Sequence, residues 1–358
     1  MRISTLRSLV EGVPDLLTIV IAATAGFTIL ALGAALVALV LHFRHRRRAR
    51  QAREREQVWR PLLLDGLAGD VSPEVLVEEV SATHRAAFLS FLVPYATAIE
   101  GADEQFIRAV AGPFLGPVRA SLSSRRPMER AQAVRRLGLL GGSTYTADLR
   151  EAITDPSHVV AQTALGWLAR RGQPEDARLI LNQLDRLSGA DRRQVSSALV
   201  ELGEAAAPIF RTALADPTRS IFVRVVCAET LRWLGDGASA DLAASLLDAD
   251  DLNPELAAGL LRLLRRVGRR THAPIIRQYC DAPVPFVRIH AARALGQIGT
   301  SDDEALLASL VQTDEARWVA LSAARSLMEL DRPGAIRQLR DSTHPRASLA
   351  QGVLPRTT

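Results

Sequence analysis

Arg288-Ile289-His290-Ala291-Ala292-Arg293-Ala294-Leu295-Gly296-Gln297-Ile298-Gly299 is the stretch that decides the fold. Together with Val287, the residues Ala291, Leu295 and Ile298 recur at helical spacing and make one apolar stripe. The alanines let a neighbouring helix come close, and the final glycine suits a left-handed helix cap, as it would at Gly141, Gly203, Gly235 and Gly268. The same text returns from Arg224 through Leu231 to Leu234-Gly235, and from Arg130 through Leu137-Gly138 to Leu140-Gly141. Taking the leucine of the Leu-Gly step as a marker yields Leu137, Leu165, Leu199, Leu231, Leu264, Leu295 and Leu327, at intervals of 28, 34, 32, 33, 31 and 32 residues. So steady a period is the mark of a repeat protein.

Each unit adds a second amphipathic helix, such as Asp241 to Leu247 or Glu304 to Val311. A turn follows, as at Asp155-Pro156 and Asp216-Pro217, where proline is expected to open the next helix. Aromatic residues make up only 4 % of a chain that is 48 % hydrophobic, so alanine and leucine dominate and favour helices over strands. The expectation is an all-α protein with a solenoid of about seven helical hairpins at 125–340, a helical cap at 61–124 before it and a tail at 341–358. An arginine near the repeat start (Arg130, Arg192, Arg224, Arg288) is expected to pair with an aspartate of an adjoining turn, with Asp216, Asp281 and Asp314 as partners.

This pattern resembles the HEAT repeat in its short bacterial form, also called PBS-lyase HEAT-like. The resemblance covers roughly residues 125 to 340 and rests on the period, the Ala-Ala-x-Ala-Leu-Gly core and the Asp-Pro turn together. The layout as a whole is similar to bacterial HEAT-domain membrane proteins found alongside membrane glycosyltransferases. That similarity implies a scaffold for a protein partner, such as a membrane glycosyltransferase of envelope or exopolysaccharide synthesis. The alternative is a HEAT-repeat enzyme or regulatory domain, lyase-like or nucleic-acid-binding, with an unrecognised site.

Leu16 to Leu41 is free of charge over 26 residues. At about 1.5 Å per residue, such a helix reaches past a hydrocarbon core of about 30 Å. It is too long for the apolar core of a cleaved signal peptide. A transmembrane helix is therefore expected at 16–43, after a short extracytoplasmic arm at 1–15. Arg44, Arg46, Arg47, Arg48 and Arg50 open an Arg-rich juxtamembrane segment at 44–60, which the positive-inside rule places in the cytoplasm. The expected location is the bacterial inner membrane, single-pass, N-terminus out and solenoid in. The same arginines set topology or hold anionic lipid headgroups.

The net charge of +5 is a local matter. Residues 44–60 hold eight Arg and two Glu, so the rest of the chain sums to −1. That argues against nucleic acid, which needs a broad positive field. Cys227 and Cys280 form no CxxC pair and read as buried free thiols. A di-iron site of the HEAT type would need repeated His-Glu pairs, yet His290 is followed by Ala291. No catalytic triad pattern or phosphate loop is present in the sequence, so neither enzyme activity, metal nor cofactor is expected.

A partner surface is expected on the ridge two residues past each marker, about 200° from the apolar stripe. Glu201, Arg266, Gln297 and Glu329 are polar there, while Trp167, Trp233 and Leu139 stand out. Two residues before the marker lie Arg135, Arg262, Arg293 and Arg325. Exposed tryptophan beside arginine is what interface hot spots favour.

Overall fold

The computed structural model describes residues 21, 24, 26–28, 30–36, 39, 55–99, 101–187 and 191–353, and among them there is no strand. The chain divides into two units, Met1–Phe114 and Leu115–Thr358.

In the second unit the apolar stripes become α1 (Pro127–Leu140), α3 (His158–Arg171), α5 (Arg192–Val200), α7 (Ile221–Leu234), α9 (Pro254–Val267), α11 (Pro285–Ile298) and α13 (Arg317–Glu329). Between and after them run α2 (Thr146–Ala152), α4 (Asp176–Gln183), α6 (Ala207–Ala215), α8 (Ala240–Leu247), α10 (Ala273–Gln278), α12 (Glu304–Thr313) and α14 (Gly334–Arg340). Each odd-numbered helix from α1 to α11 packs on the next odd one, and even helices such as α6 and α12 pack on the first helix that follows. One hydrophobic core runs through the whole stack, from Ala131 to Leu349. The tail read at 341–358 carries α15 (Ala347–Val353), and Arg346 Nη1 just before it donates to the Val311 carbonyl at 2.9 Å.

The marker series needs one correction. Helix α3 begins at His158, so Leu168 is the residue equivalent to Leu137, and Leu165 sits one turn earlier. The chance sequence Leu165-Gly166 imitates the Leu-Gly step. Measured on the cap glycines 141, 172, 203, 235, 268 and 299, the period is 31, 31, 32, 33 and 31 residues, steadier than the leucine series.

The cap glycines serve two purposes. Of the five expected to cap left-handed, Gly235 alone does so (φ 69°, ψ 29°); Gly203 pairs a positive φ of 76° with an extended ψ of 179°, and Gly141 is right-handed at φ −96°. Gly268 and Gly299 are extended instead, and a Cβ there would stand 2.4 Å from the carbonyl oxygen of Leu264 or Leu295. The Asp-Pro turns also differ from expectation. Pro156 and Pro217 precede helices that start at His158 and Ile221, and the aspartates close the turns by accepting from the amides of Ser157 and Thr218. Prolines do open α1, α9 and α11, at Pro127, Pro254 and Pro285.

Two of the four repeat-start arginines pair as expected. Arg130 reaches Asp155 and Arg288 reaches Asp314, each through two bonds. Buried Arg224 instead donates from Nε to the Leu214 carbonyl at 3.0 Å, and its burial pushes the guanidinium pKa down. Arg192 pairs with Glu255, and Asp281 has no direct bond to Arg288. A second series escaped the sequence: Arg119, on the short helix Gly116–Ala120 before α1, pairs with Asp148, Arg150 with Asp176, and Arg211 and Arg277 of α6 and α10 with the turn residues Asp236 and Asp303.

In the first unit, helices at 55–67, Pro73–Glu78, Arg85–Ala98 and Ala102–Ala111 enclose an aromatic core. Trp59 and Phe88 meet edge-on with centroids 5.0 Å apart, and Phe88 meets Phe114 the same way at 5.6 Å. Arg85–Ala98 carries Pro94 within it and buries Phe88, Leu89, Phe91 and Leu92. Trp59 is buried too, so the end of the segment read as juxtamembrane belongs to this core.

Of the expected span only residues 21, 24, 26–28, 30–36 and 39 are described; they are helical and exposed, with Phe27 79 % and Leu30 74 % accessible. No helix among the described residues is long and apolar enough to cross a membrane. The arm at 1–15 and Arg44, Arg46, Arg47, Arg48 and Arg50 lie outside the described residues.

Candidate functional site

Two ion pairs identify the inner side of the stack. Arg192 on α5 donates from Nη1 to Glu255 on α9 at 2.8 Å, passing over α7. Arg265 on α9 reaches Glu329 on α13 at 3.5 Å, passing over α11. Neighbouring helix axes lie about 8–10 Å apart, so alternate helices in a flat layer would be about 16–20 Å apart. Extended Arg and Glu side chains span such a gap, so both pairs lie on the face made by the odd helices; because odd helices pack closely on one another and even helices only lightly, that face is the inner, concave one.

On that face a groove of about 860 Å³ crosses α5, α7, α9 and α11. Its floor is a chain of charges. Glu229 accepts from Arg232 Nε at 2.7 Å and from Arg262 Nε at 2.5 Å, and Arg262 Nη1 lies 3.1 Å from His290 Nε2. Because a guanidinium can only donate, Nε2 of His290 is the accepting nitrogen. Trp233 and Phe286 project beside this floor, 60 % and 42 % exposed. The Arg232 guanidinium stands 4.3 Å from the Trp233 ring centroid, a close cation–π contact.

The expected ridge is partly realised. Trp233, Arg266, Gln297 and Glu329 are each the thirteenth residue of their helix and face solvent, as does Glu201 on α5. Leu139 is thirteenth in α1 but buried. Trp167 is tenth in α3, a displacement that follows from the Leu165 slip. Its indole packs on Gly138 of α1, where a Cβ would stand 2.3 Å from the indole Cγ, and Arg170 and Arg171 lie 5.7 and 6.0 Å from its ring. Trp167 is therefore an interhelix packing residue. Arg262 and Arg293 are half-buried and Arg325 exposed on adjacent helices. Arg135 is exposed on α1, outside the groove.

Sequence reasoning missed Phe286 and weighed His290 only as a metal ligand. One pattern could have found Phe286: the second residue of the odd helices is apolar and exposed at Met128, Val159, Phe286 and Trp318. Trp318 is 72 % exposed.

Burial first, and then the charges of Arg262, Arg293 and Arg265, lower the His290 pKa to about 4, against a smaller opposing effect of Glu229. In the unfolded chain the imidazole titrates near 6.5. As pH falls from about 6.5 to 4 the unfolded state takes up a proton that the folded state refuses, so stability drops across that window and not above it. His290→Gln should shrink the loss of Tm between pH 7 and pH 5; an unchanged loss would remove His290 from the account. The paired aspartates act lower, below about 3.8, so they do not confuse the result.

Burial pushes both free thiols, Cys227 and Cys280, up to about 12. Among the described residues no group of three or more His, Cys, Asp or Glu could hold a metal ion.

Residues 244–328, from α8 to α13, match the family described as HEAT repeats. No curated protein matches the sequence. Several solved structures are similar. The CpcE–CpcF complex of phycocyanin lyase from Nostoc sp. PCC7120 matches at 19 % identity and TM-score 0.31, over 66 % of this chain and 85 % of that one. An engineered protein matches at 17 % identity and TM-score 0.36, over 67 % and 77 %. The karyopherin Kap121p, bound to the extreme C-terminus of the protein phosphatase Cdc14p, matches at 12 % identity and TM-score 0.38, over 76 % of this chain and 41 % of the karyopherin.

Proposed function

We propose that this protein is a non-catalytic HEAT-repeat scaffold, tethered to the inner membrane, that binds a protein partner in its concave groove. The observation that carries the reading is Trp233. A 60 % exposed indole, held over by Arg232 beside Phe286, contributes little to folding yet offers an aromatic anchor next to arginine. The tether rests on the uncharged stretch 16–41 and on the exposed apolar side chains of its described residues, which would be covered by lipid. The arginines from Arg44 to Arg50 orient the solenoid to the cytoplasm and meet anionic lipid. A glycosyltransferase of envelope or exopolysaccharide synthesis is the partner suggested by the layout of the sequence.

Co-purification from mild detergent tests the interface. Trp233→Ala should leave the fold intact and weaken partner retention by about 2 kcal/mol, roughly thirtyfold. Trp167→Ala should instead lower stability, since that ring fills space against Gly138. Retention of the partner by a folded Trp233→Ala protein would move the interface elsewhere. For topology, a reporter active only in the cytoplasm should work when fused after Thr358, and activity of a periplasmic reporter there would reverse the orientation.

A further inference from the structure

The ninth residue of α9, α11 and α13 is arginine each time: Arg262, Arg293 and Arg325. These helices pack consecutively, so the three form a ladder across the concave face. Arg262 is neutralised by Glu229 at 2.5 Å. Arg293 is half-buried and has no carboxylate within ion-pair distance among the described residues, and neither has Arg325. Arg265, on the same face, has only the long 3.5 Å contact to Glu329. Burial, and then the charges of Arg265 and Arg325, hold the Arg293 guanidinium below the usual arginine range, with Glu329 a weaker opposing influence. Three arginines thus crowd one carboxylate, in a folded part whose overall charge is close to zero.

We propose that Arg265, Arg293 and Arg325 receive the side-chain carboxylates of an acidic, extended segment of the protein partner, whose apolar side chains continue into the groove beside Trp233 and Phe286. This rests on the protein-binding reading above and adds the chemistry of the partner. Like charges brought together by the fold repel one another, and an incoming carboxylate relieves that repulsion while accepting paired guanidinium bonds. Nucleic acid fits less well. In the groove Arg192, Arg232 and Arg262 are already engaged by Glu229 and Glu255, and Glu201 stands beside them, so a continuing phosphate backbone would meet no broad positive field there. A protein segment can carry acid at one end and apolar residues at the other.

The test uses the full chain in detergent and three fluorescein-labelled probes: the peptide (Glu-Glu-Leu)5, its neutral counterpart (Gln-Gln-Leu)5, and a single-stranded DNA of equal charge to the acidic peptide. The acidic peptide should bind, weaken with added salt, and lose about tenfold in affinity in R293Q/R325Q. The neutral peptide should bind at least tenfold more weakly. Because Arg293 is half-buried, R325E alone, at an exposed position, provides a variant that keeps the fold and should show the same loss. Equal binding of both peptides, unchanged affinity in R325E and the double variant, or tighter binding of the DNA would each overturn the proposal. Partner co-purification separates the two readings. A natural partner that R325E retains and Trp233→Ala loses would leave the scaffold standing and remove its acidic recognition.

Discussion

Asp314→Ala should destabilise the solenoid by about 3 kcal/mol, the lower part of the range of about 3–5 kcal/mol for breaking a buried ion pair. The Asp314 side chain is 3 % exposed and the Arg288 side chain 15 %, and two bonds of 2.7 and 2.9 Å join them. Asp314 also accepts from the Ala316 amide at 2.8 Å, which fixes the turn into α13. Its removal leaves a guanidinium with the Ala282 carbonyl as its strongest remaining contact, at 2.7 Å, and strands the Ala316 amide. Retention of that carbonyl is why the low end of the range applies. Urea unfolding reads the difference, and a loss below about 1 kcal/mol would show that the pair is replaced by water without consequence. Arg288→Met in the same background should recover part of the loss, since it removes the unpaired charge.

The pair also has a pH signature. Burial raises the Asp314 pKa, but the Arg288 bond, the Ala316 amide and the Arg288 charge together outweigh it and hold it below the ordinary carboxylate value. Its stabilisation is therefore fully present above about 3.8 and is lost as pH falls through the lower folded value. Asp314→Ala should accordingly lose less stability than the wild type on acidification below pH 3.8.

The fold was legible because a solenoid writes its core in periodic form. Every unit buries the same stripe against its neighbours, so Leu137, Leu231, Leu264, Leu295 and Leu327 announce themselves by spacing alone, and all are fully buried. The slip at Leu165 shows the limit of a marker. Leu-Gly is a two-residue cue, and Leu165-Gly166 satisfied it one turn too early, whereas the cap glycine Gly172 keeps the true register. That slip carried Trp167 into the exposed slot on paper, while in the fold it fills the space over Gly138.

The groove was harder to read for a different reason. Phe286 and His290 come from α11, Trp233 and Glu229 from α7, and the Arg192–Glu255 pair spans α5 and α9. Periodicity places residues on a helix face but does not say which residues of alternate helices meet across the helix between them. The Arg211–Asp236 and Arg277–Asp303 pairs were hidden likewise, because the acid belongs to the turn of the next unit and not to the helix that carries the arginine.

Leu295→Ala should cost about 2–5 kcal/mol, and the upper half of that range is expected. Leu295 is fully buried in α11, with α9 on one side and α13 on the other. In a globular core the surroundings can close partly on the space left behind. A stacked repeat has rigid neighbours on both sides, and each interface carries part of the stability of the next unit. Truncation therefore weakens two interfaces at once. Leu231→Ala in α7 should behave alike, for it is equally buried between α5 and α9. Trp233→Ala is the internal comparison. Its indole is larger than the leucine side chain but 60 % exposed, and surface changes usually fall within about 0.5 kcal/mol. Size alone predicts the opposite order. Urea unfolding of the three variants decides the matter. Should Trp233→Ala prove as costly as Leu295→Ala, the indole would be part of the core, and the case for the groove as a partner site would fall with it.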